Sequence, residues 1–209
     1  MSDRVTFDMA QDVNVVERRT AYKAFTQVDV LRLTHRLFSG GTSPVIQREL
    51  VIKPQAIGVL IYDPILDAVL LIEQFRVGAL PEVNPWQLEI VAGLVDGEGE
   101  SLETVALREV QEEAGLSLKR LERVMTFLLS PGGSNERFTL FVGQADLSNI
   151  KTGSLHGLPE EGEDIRVNVM TTVNALSLLN DDMLFNAPLL IALQWLGLNH
   201  KDLQSRWQN

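Results

Sequence analysis

Three glutamates and an arginine fall in one short run, Arg108-Glu109-Val110-Gln111-Glu112-Glu113-Ala114-Gly115. Wound as a helix at about 100° per residue, Glu109 and Glu113 stack at i, i+4 on the stripe that also carries Leu102, Val105 and Ala106. Thr104, Leu107 and Gln111 take the far side. Two carboxylates are thereby turned toward what should be the core face, where uncompensated charge is expensive. A run of this composition is most often a solvated acidic face, but these acids share a stripe with apolar residues instead of opposing it. A hard divalent cation resolves the conflict, because closely spaced carboxylate oxygens with no His or Cys beside them suit Mg²⁺ or Mn²⁺. Arg108 adjoins the acids and is placed to orient a glutamate through a bidentate pair. A second acidic run, Glu160-Glu161-Gly162-Glu163-Asp164, reads by itself as an ordinary solvated loop.

The elements that must position these groups are legible around them. Ser101 to Ala114 reads as a helix with Ser101 as N-cap and Gly115 to end it. Ahead of it, Ala56–Tyr62 and Ala68–Ile72 read as buried strands joined across Asp63-Pro64-Ile65-Leu66-Asp67, followed by a strand over Trp86–Val91. Strands are expected after it at Val124–Leu129, Arg137–Gln144 and Ile165–Met170. Helices follow at Thr172–Leu179 and Ala187–Leu198, the last capped by Asn186 with Pro188 in its first turn. The first quarter differs in character. A strand over Phe25–Phe38, the turn Gly40-Gly41-Thr42-Ser43-Pro44 and a second strand over Val45–Ile52 form a hairpin with little apolar mass. The chain divides into an N-terminal sheet region, 1–52, and a larger α/β domain, 53–209, with helices layered against a mixed sheet.

Composition bounds the rest. The 209 residues hold 18 Lys+Arg against 28 Asp+Glu, a net charge of −10, which disfavours a nucleic-acid surface. There is no cysteine, so disulfides and thiolate metal sites are excluded. No apolar run reaches membrane-spanning length, and Met1-Ser2-Asp3-Arg4-Val5-Thr6-Phe7-Asp8 lacks the basic-then-apolar order of a signal peptide. A cytoplasmic protein with no membrane partner is expected. His35, His156 and His200 are too scattered for a metal triad, and Trp86, Trp195 and Trp207 read as packing residues.

The segment from Gly93 to Leu116 resembles the Nudix box, in which a glycine, a loop, a glutamate and seven residues lead into R-E-aliphatic-x-E-E-x-G-aliphatic. Glu100 is followed after seven residues by Arg108-Glu109-Val110, then Glu112-Glu113 and Gly115-Leu116. Six residues separate Gly93 from Glu100 where the family pattern has five, an insertion in a loop where extra length costs little. The resemblance extends along almost the whole chain to the ADP-ribose pyrophosphatase branch of that family. It runs through His35-Arg36-Leu37-Phe38, Leu71-Ile72-Glu73-Gln74-Phe75-Arg76 and Trp86 to Gly93. It continues through Ser130-Pro131-Gly132-Gly133-Ser134-Asn135-Glu136, with Pro131 in the branch's marker position, then Glu161 to Ile165 and Ile191 to Leu196.

That resemblance implies a Nudix-type α/β/α sandwich with mixed sheets, plus a small N-terminal antiparallel β-sheet exchanged in a homodimer. It implies metal-dependent hydrolysis of ADP-ribose to AMP and ribose 5-phosphate, with Mg²⁺, or Mn²⁺ in its place. The implied metal ligands are Glu109 and Glu113, assisted by Glu112 and the carbonyl of Ala92, with Glu163 joining when the diphosphate is bound. Glu161 matches the general base. Arg48 and Arg76 match arginines that hold the base or phosphates, and Phe25 and Glu136 match pocket positions. The alternatives are a pyrophosphatase for another nucleoside diphosphate sugar, such as GDP-mannose, and a ligand sensor that does not hydrolyse.

Overall fold

The computed structural model describes residues 6–95, 97, 99–181 and 185–208, apart from the side chain of Glu161. The chain forms two compact units, Met1–Lys53 with Leu128–Glu136, and Pro54–Phe127 with Arg137–Asn209.

In the first unit a single helical turn, α1 (Met9–Asp12), is capped by the Asp8 carboxylate, which accepts from the Ala10 N–H at 2.8 Å. It leads into a three-stranded antiparallel sheet, β1 (Val13–Lys23), β2 (Gln27–His35) and β3 (Ile46–Ile52), in that order. The β2–β3 hairpin follows the sequence expectation, although β2 is shorter than the span 25–38. Strand β1 is an addition: ten of its eleven residues are exposed, so no alternation of apolar and polar residues marked it. Val30 is the one apolar side chain buried in this unit among the described residues. Beside it the buried Asp29 carboxylate accepts from Arg18 (2.6 Å), Thr20 (2.9 Å) and Gln27 (2.7 Å).

The second unit is built on a mixed sheet whose central strand, β4 (Ala56–Asp63), is buried at every position. Its partner β5 (Ala68–Phe75) pairs with it only over Ile61–Asp63. Beyond that point the two strands part. The far end of β5 pairs with β6 (Trp86–Glu89), and the near end of β4 with β7 (Val91–Leu94). The expected strand over 86–91 is thus two strands meeting at Ile90. Helix α2 (Leu102–Ala114) lies over β7 and β4, followed by β8 (Arg120–Leu128) and β9 (Arg137–Gln144), the latter parallel to β4. The short β10 (Leu155–His156) and β11 (Ile165–Thr171) extend the other edge, β11 antiparallel to β5.

Alternate residues of β4 serve two layers. Ile57, Val59 and Ile61 join Val105, Ala106 and Val110 of α2 in one core. On the other face Tyr62 meets α4 (Ala187–Trp207), with ring centroids 6.4 Å from Trp207 and 6.0 Å from His200. The short α3 (Thr172–Ser177) precedes α4. This is the expected α/β/α layering. Helix α4 outruns its expected end at Leu198 by nine residues, and the last turns bury Leu203 and Trp207. Among the described residues no helix is long and apolar enough to cross a membrane.

Candidate active site

Helix α2 is fixed at both ends. The Ser101 hydroxyl accepts from the Thr104 N–H at 3.1 Å, and Gly115 takes the left-handed conformation (φ 65°) that closes the C-terminus. A side chain at residue 115 would also collide with the His156 ring, 2.9 Å from an added Cβ. Between these caps the stripe Leu102, Val105, Ala106, Val110 and Ala114 packs inward and carries Glu109 and Glu113 with it, both buried.

Strand β7 receives them. The Glu113 Oε2 accepts from the Ala92 N–H at 3.0 Å. Glu109 lies so close to Gly93 that an added Cβ there would stand 2.1 Å from its carboxyl carbon. The glycine therefore leaves the space that the Glu109 side chain occupies against the strand. Arg108 gathers the remaining acids: Nη1 donates to Glu109 Oε1 at 2.8 Å and to Glu112 Oε2 at 3.2 Å, and Nε lies 3.7 Å from Glu100 Oε1. Sequence reasoning placed Arg108 as an orienting residue; it binds three carboxylates.

Electrostatics follow from this burial. Desolvation pushes Glu109 up to about 7, against the pull of Arg108 and with the repulsion of Glu112 and Glu163. Desolvation pushes Glu113 up to about 8; the Ala92 N–H opposes it, and Glu109 and Glu163 add to it. Glu163, from the loop before β11, accepts from the Leu158 N–H at 3.0 Å and is close enough to act on both helix carboxylates. Among the described residues no three acidic or histidine side chains already converge on one cation position. The donor set nevertheless fits a divalent ion. Two buried carboxylates that resist ionisation and a third beside them offer hard oxygen ligands.

Just past the end of β5, Arg76 Nε and Nη2 clamp Glu89 of β6, with contacts of 3.1, 3.1 and 2.7 Å. Glu89 is buried, whereas Arg76 is half-exposed and feels the charges of Glu113 and Glu163. Sequence reasoning gave Glu89 no role; an acid inside the apolar run Leu88-Glu89-Ile90-Val91 was the available signal. Trp86 is half-exposed and meets Phe75 edge-on at 5.7 Å. The histidines have separate partners: His35 with the Arg36 carbonyl, His156 with Ser154, and His200 with Asp67.

The structure thus brings Ala92, Arg108, Glu109, Glu112, Glu113, Glu163 and Arg76 into one region of the second unit. Phe25, Arg48 and Glu136 belong to the first unit. There Phe25 is exposed with Lys53 Nζ 6.0 Å from its ring centroid. Arg48 is exposed and donates to the Gln47 carbonyl, and the Glu136 N–H donates to Ser134 Oγ. Glu161 ends a 3₁₀ turn, Pro159–Glu161; its side chain lies outside the described residues.

Comparison with known proteins agrees with this architecture. The NUDIX domain family model matches residues 52–193. ADP-ribose pyrophosphatase of Escherichia coli K12 is 44% identical over 204 residues, covering 97% of this chain and 96% of that protein. ADP-ribose pyrophosphatase of Haemophilus influenzae Rd is 43% identical over 202 residues, covering 95% and 92%. GDP-mannose pyrophosphatase of Cronobacter sakazakii is 30% identical over 154 residues, covering 73% and 78%. The solved structure described as an ADP compounds hydrolase shares the fold, with a TM-score of 0.65 at 22% identity over 90% of this chain and 95% of that one. With the box residues on one helix against a glycine-bearing strand, and with these matches, the chain belongs to the Nudix family.

Proposed function

We propose that the protein hydrolyses the diphosphate of ADP-ribose, giving AMP and ribose 5-phosphate, with Mg²⁺ as the metal and Mn²⁺ as a substitute. The observation that carries the reading is the buried pair Glu109 and Glu113, held on α2 against Ala92 and Gly93 and gathered by Arg108. The substrate follows from the near-full-length similarity to two ADP-ribose pyrophosphatases.

Glu109 and Glu113, with Glu112 and the Ala92 carbonyl, would hold the metal, and Glu163, which accepts from the Leu158 N–H, would join them once the diphosphate is bound. Divalent cations bound there would neutralise phosphate oxygens and acidify an attacking water. Arg108 orients Glu109 and Glu112, the carboxylates that would meet the cations. Glu161 takes the proton of the water as general base. Arg76, through the Nη1 that Glu89 leaves free, meets the phosphates, and Arg48, Phe25 and Glu136 serve as further substrate-binding residues. The protein acts as a cytoplasmic homodimer that exchanges its N-terminal sheets, which supplies that thin unit with the apolar contacts it lacks.

Incubation with a panel of nucleoside diphosphate sugars plus Mg²⁺, followed by product identification, tests the assignment. ADP-ribose should be the best substrate and should yield AMP. Preferential cleavage of GDP-mannose would favour the second reading, which the Cronobacter relative supports. Recovery of bound, intact ADP-ribose would mark a sensor.

A further inference from the structure

We infer that Glu89 is a positioning residue which holds the Arg76 guanidinium away from the metal-binding carboxylates, so that metal and arginine do not compete for them. The inference rests on the metal role proposed above for Glu109 and Glu113.

Glu89 ends β6 and Ala92 lies in β7, three residues apart, so at most about 10 Å of extended chain separates them. Glu89 anchors Arg76 at one end of this link, and Ala92 anchors Glu113 at the other. Arg76 therefore has three acids in its surroundings, Glu89, Glu113 and Glu163. A guanidinium forks onto carboxylates as readily as a cation binds them. Left unanchored, Arg76 would pair with Glu113 or Glu163 and occupy the oxygens a divalent ion needs.

The structure prevents this with a two-pronged clamp. Nε and Nη2 are both committed to Glu89, whose side chain is about nine-tenths buried and fixed on the strand by its neighbours. Nη1 has no partner among the described residues and remains available to an incoming phosphate. Burying a lone carboxylate in β6 would be costly, so the pair also accounts for how an acid is tolerated there. The Ile72 position opposite Glu89 in β5 is wholly buried, which gives the acid no route to solvent on that side.

The direct test is Mn²⁺ binding to substrate-free protein, followed by electron paramagnetic resonance of the free ion, at fixed pH. Glu89→Gln keeps shape but removes the charge that holds Arg76, and should weaken Mn²⁺ binding about 10-fold. Arg76→Gln added to it should restore binding to within about twofold of wild type, because the competitor is gone. Glu89→Asp retains the buried charge but withdraws it by one methylene; it should show a smaller loss, again erased by Arg76→Gln, and serves if Glu89→Gln does not fold. Unchanged Mn²⁺ affinity in the folded Glu89 variants, or a loss that Arg76→Gln does not repair, would overturn the inference. Wild-type protein that binds no Mn²⁺ would overturn the metal assignment itself, and this inference with it.

Discussion

At the scale of single residues the site works by placing charge where solvent cannot help it. Glu113 has its pKa raised from 4.5 to about 8 by burial. A carboxyl raised in this way contributes stability that is complete below pH 4.5 and is lost as pH rises through about 8. The metal-free protein should therefore lose stability over that window. Glu113→Gln, neutral throughout, should stabilise the metal-free protein by about 3 kcal/mol at pH 7 while losing most activity. Thermal melts of the chelated proteins at pH 5 and pH 8 check this; parallel curves for both proteins would count against it. Glu161→Gln should lower kcat by about 10²–10⁴-fold with little change in KM, whereas Glu163→Gln should respond to added Mg²⁺. Normal kcat in the first and an unrescued loss in the second would move the base to Glu163. The helix acids were legible because charge on an apolar stripe breaks a pattern. Glu89 breaks the pattern of its run in the same way, but its pairing with Arg76, thirteen residues away, was not legible, since only strand pairing brings the two together.

At the scale of elements, the parting of β4 from β5 creates the seat for helix α2. Their separation admits β6 and β7, and β7 presents Ala92 and Gly93 to α2. Gly93→Ala should fold, because the Glu109 carboxyl it strikes is the end of a flexible side chain, yet it should displace that carboxyl and weaken metal binding. Calorimetric Mn²⁺ titration reads this out, and wild-type affinity in the variant would contradict it. Helix α2 was fully legible from its caps and its 3.6-residue period. The break at Ile90 was not: no glycine or proline stands between Trp86 and Val91, so one continuous strand and two short ones look alike in sequence. Strand β1 left no signal because solvent surrounds almost all of it, and the end of α4 was missed because Asn199, His200 and Lys201 interrupt its apolar stripe before Leu203 and Trp207 resume it.

At the scale of the whole molecule, two compact units differ sharply in how much apolar surface they bury. The second has a full sandwich core; the first has Val30 and a buried Asp29 cluster. An isolated three-stranded sheet of that kind is marginal in water, and exposed Val15, Val16 and Tyr22 line its edge strand. Deleting residues 1–50 should abolish both dimerisation, read by light scattering, and ADP-ribose turnover, although the helix carboxylates remain; a fully active monomer would refute the dimer proposal. The central claim, metal-dependent cleavage of ADP-ribose, is tested most directly by following AMP release from ADP-ribose with Mg²⁺ present and then with excess chelator. AMP and ribose 5-phosphate should appear in equal amounts, stop on chelation and resume when Mg²⁺ is restored. Undiminished release under chelator, or intact ADP-ribose throughout, would contradict the account.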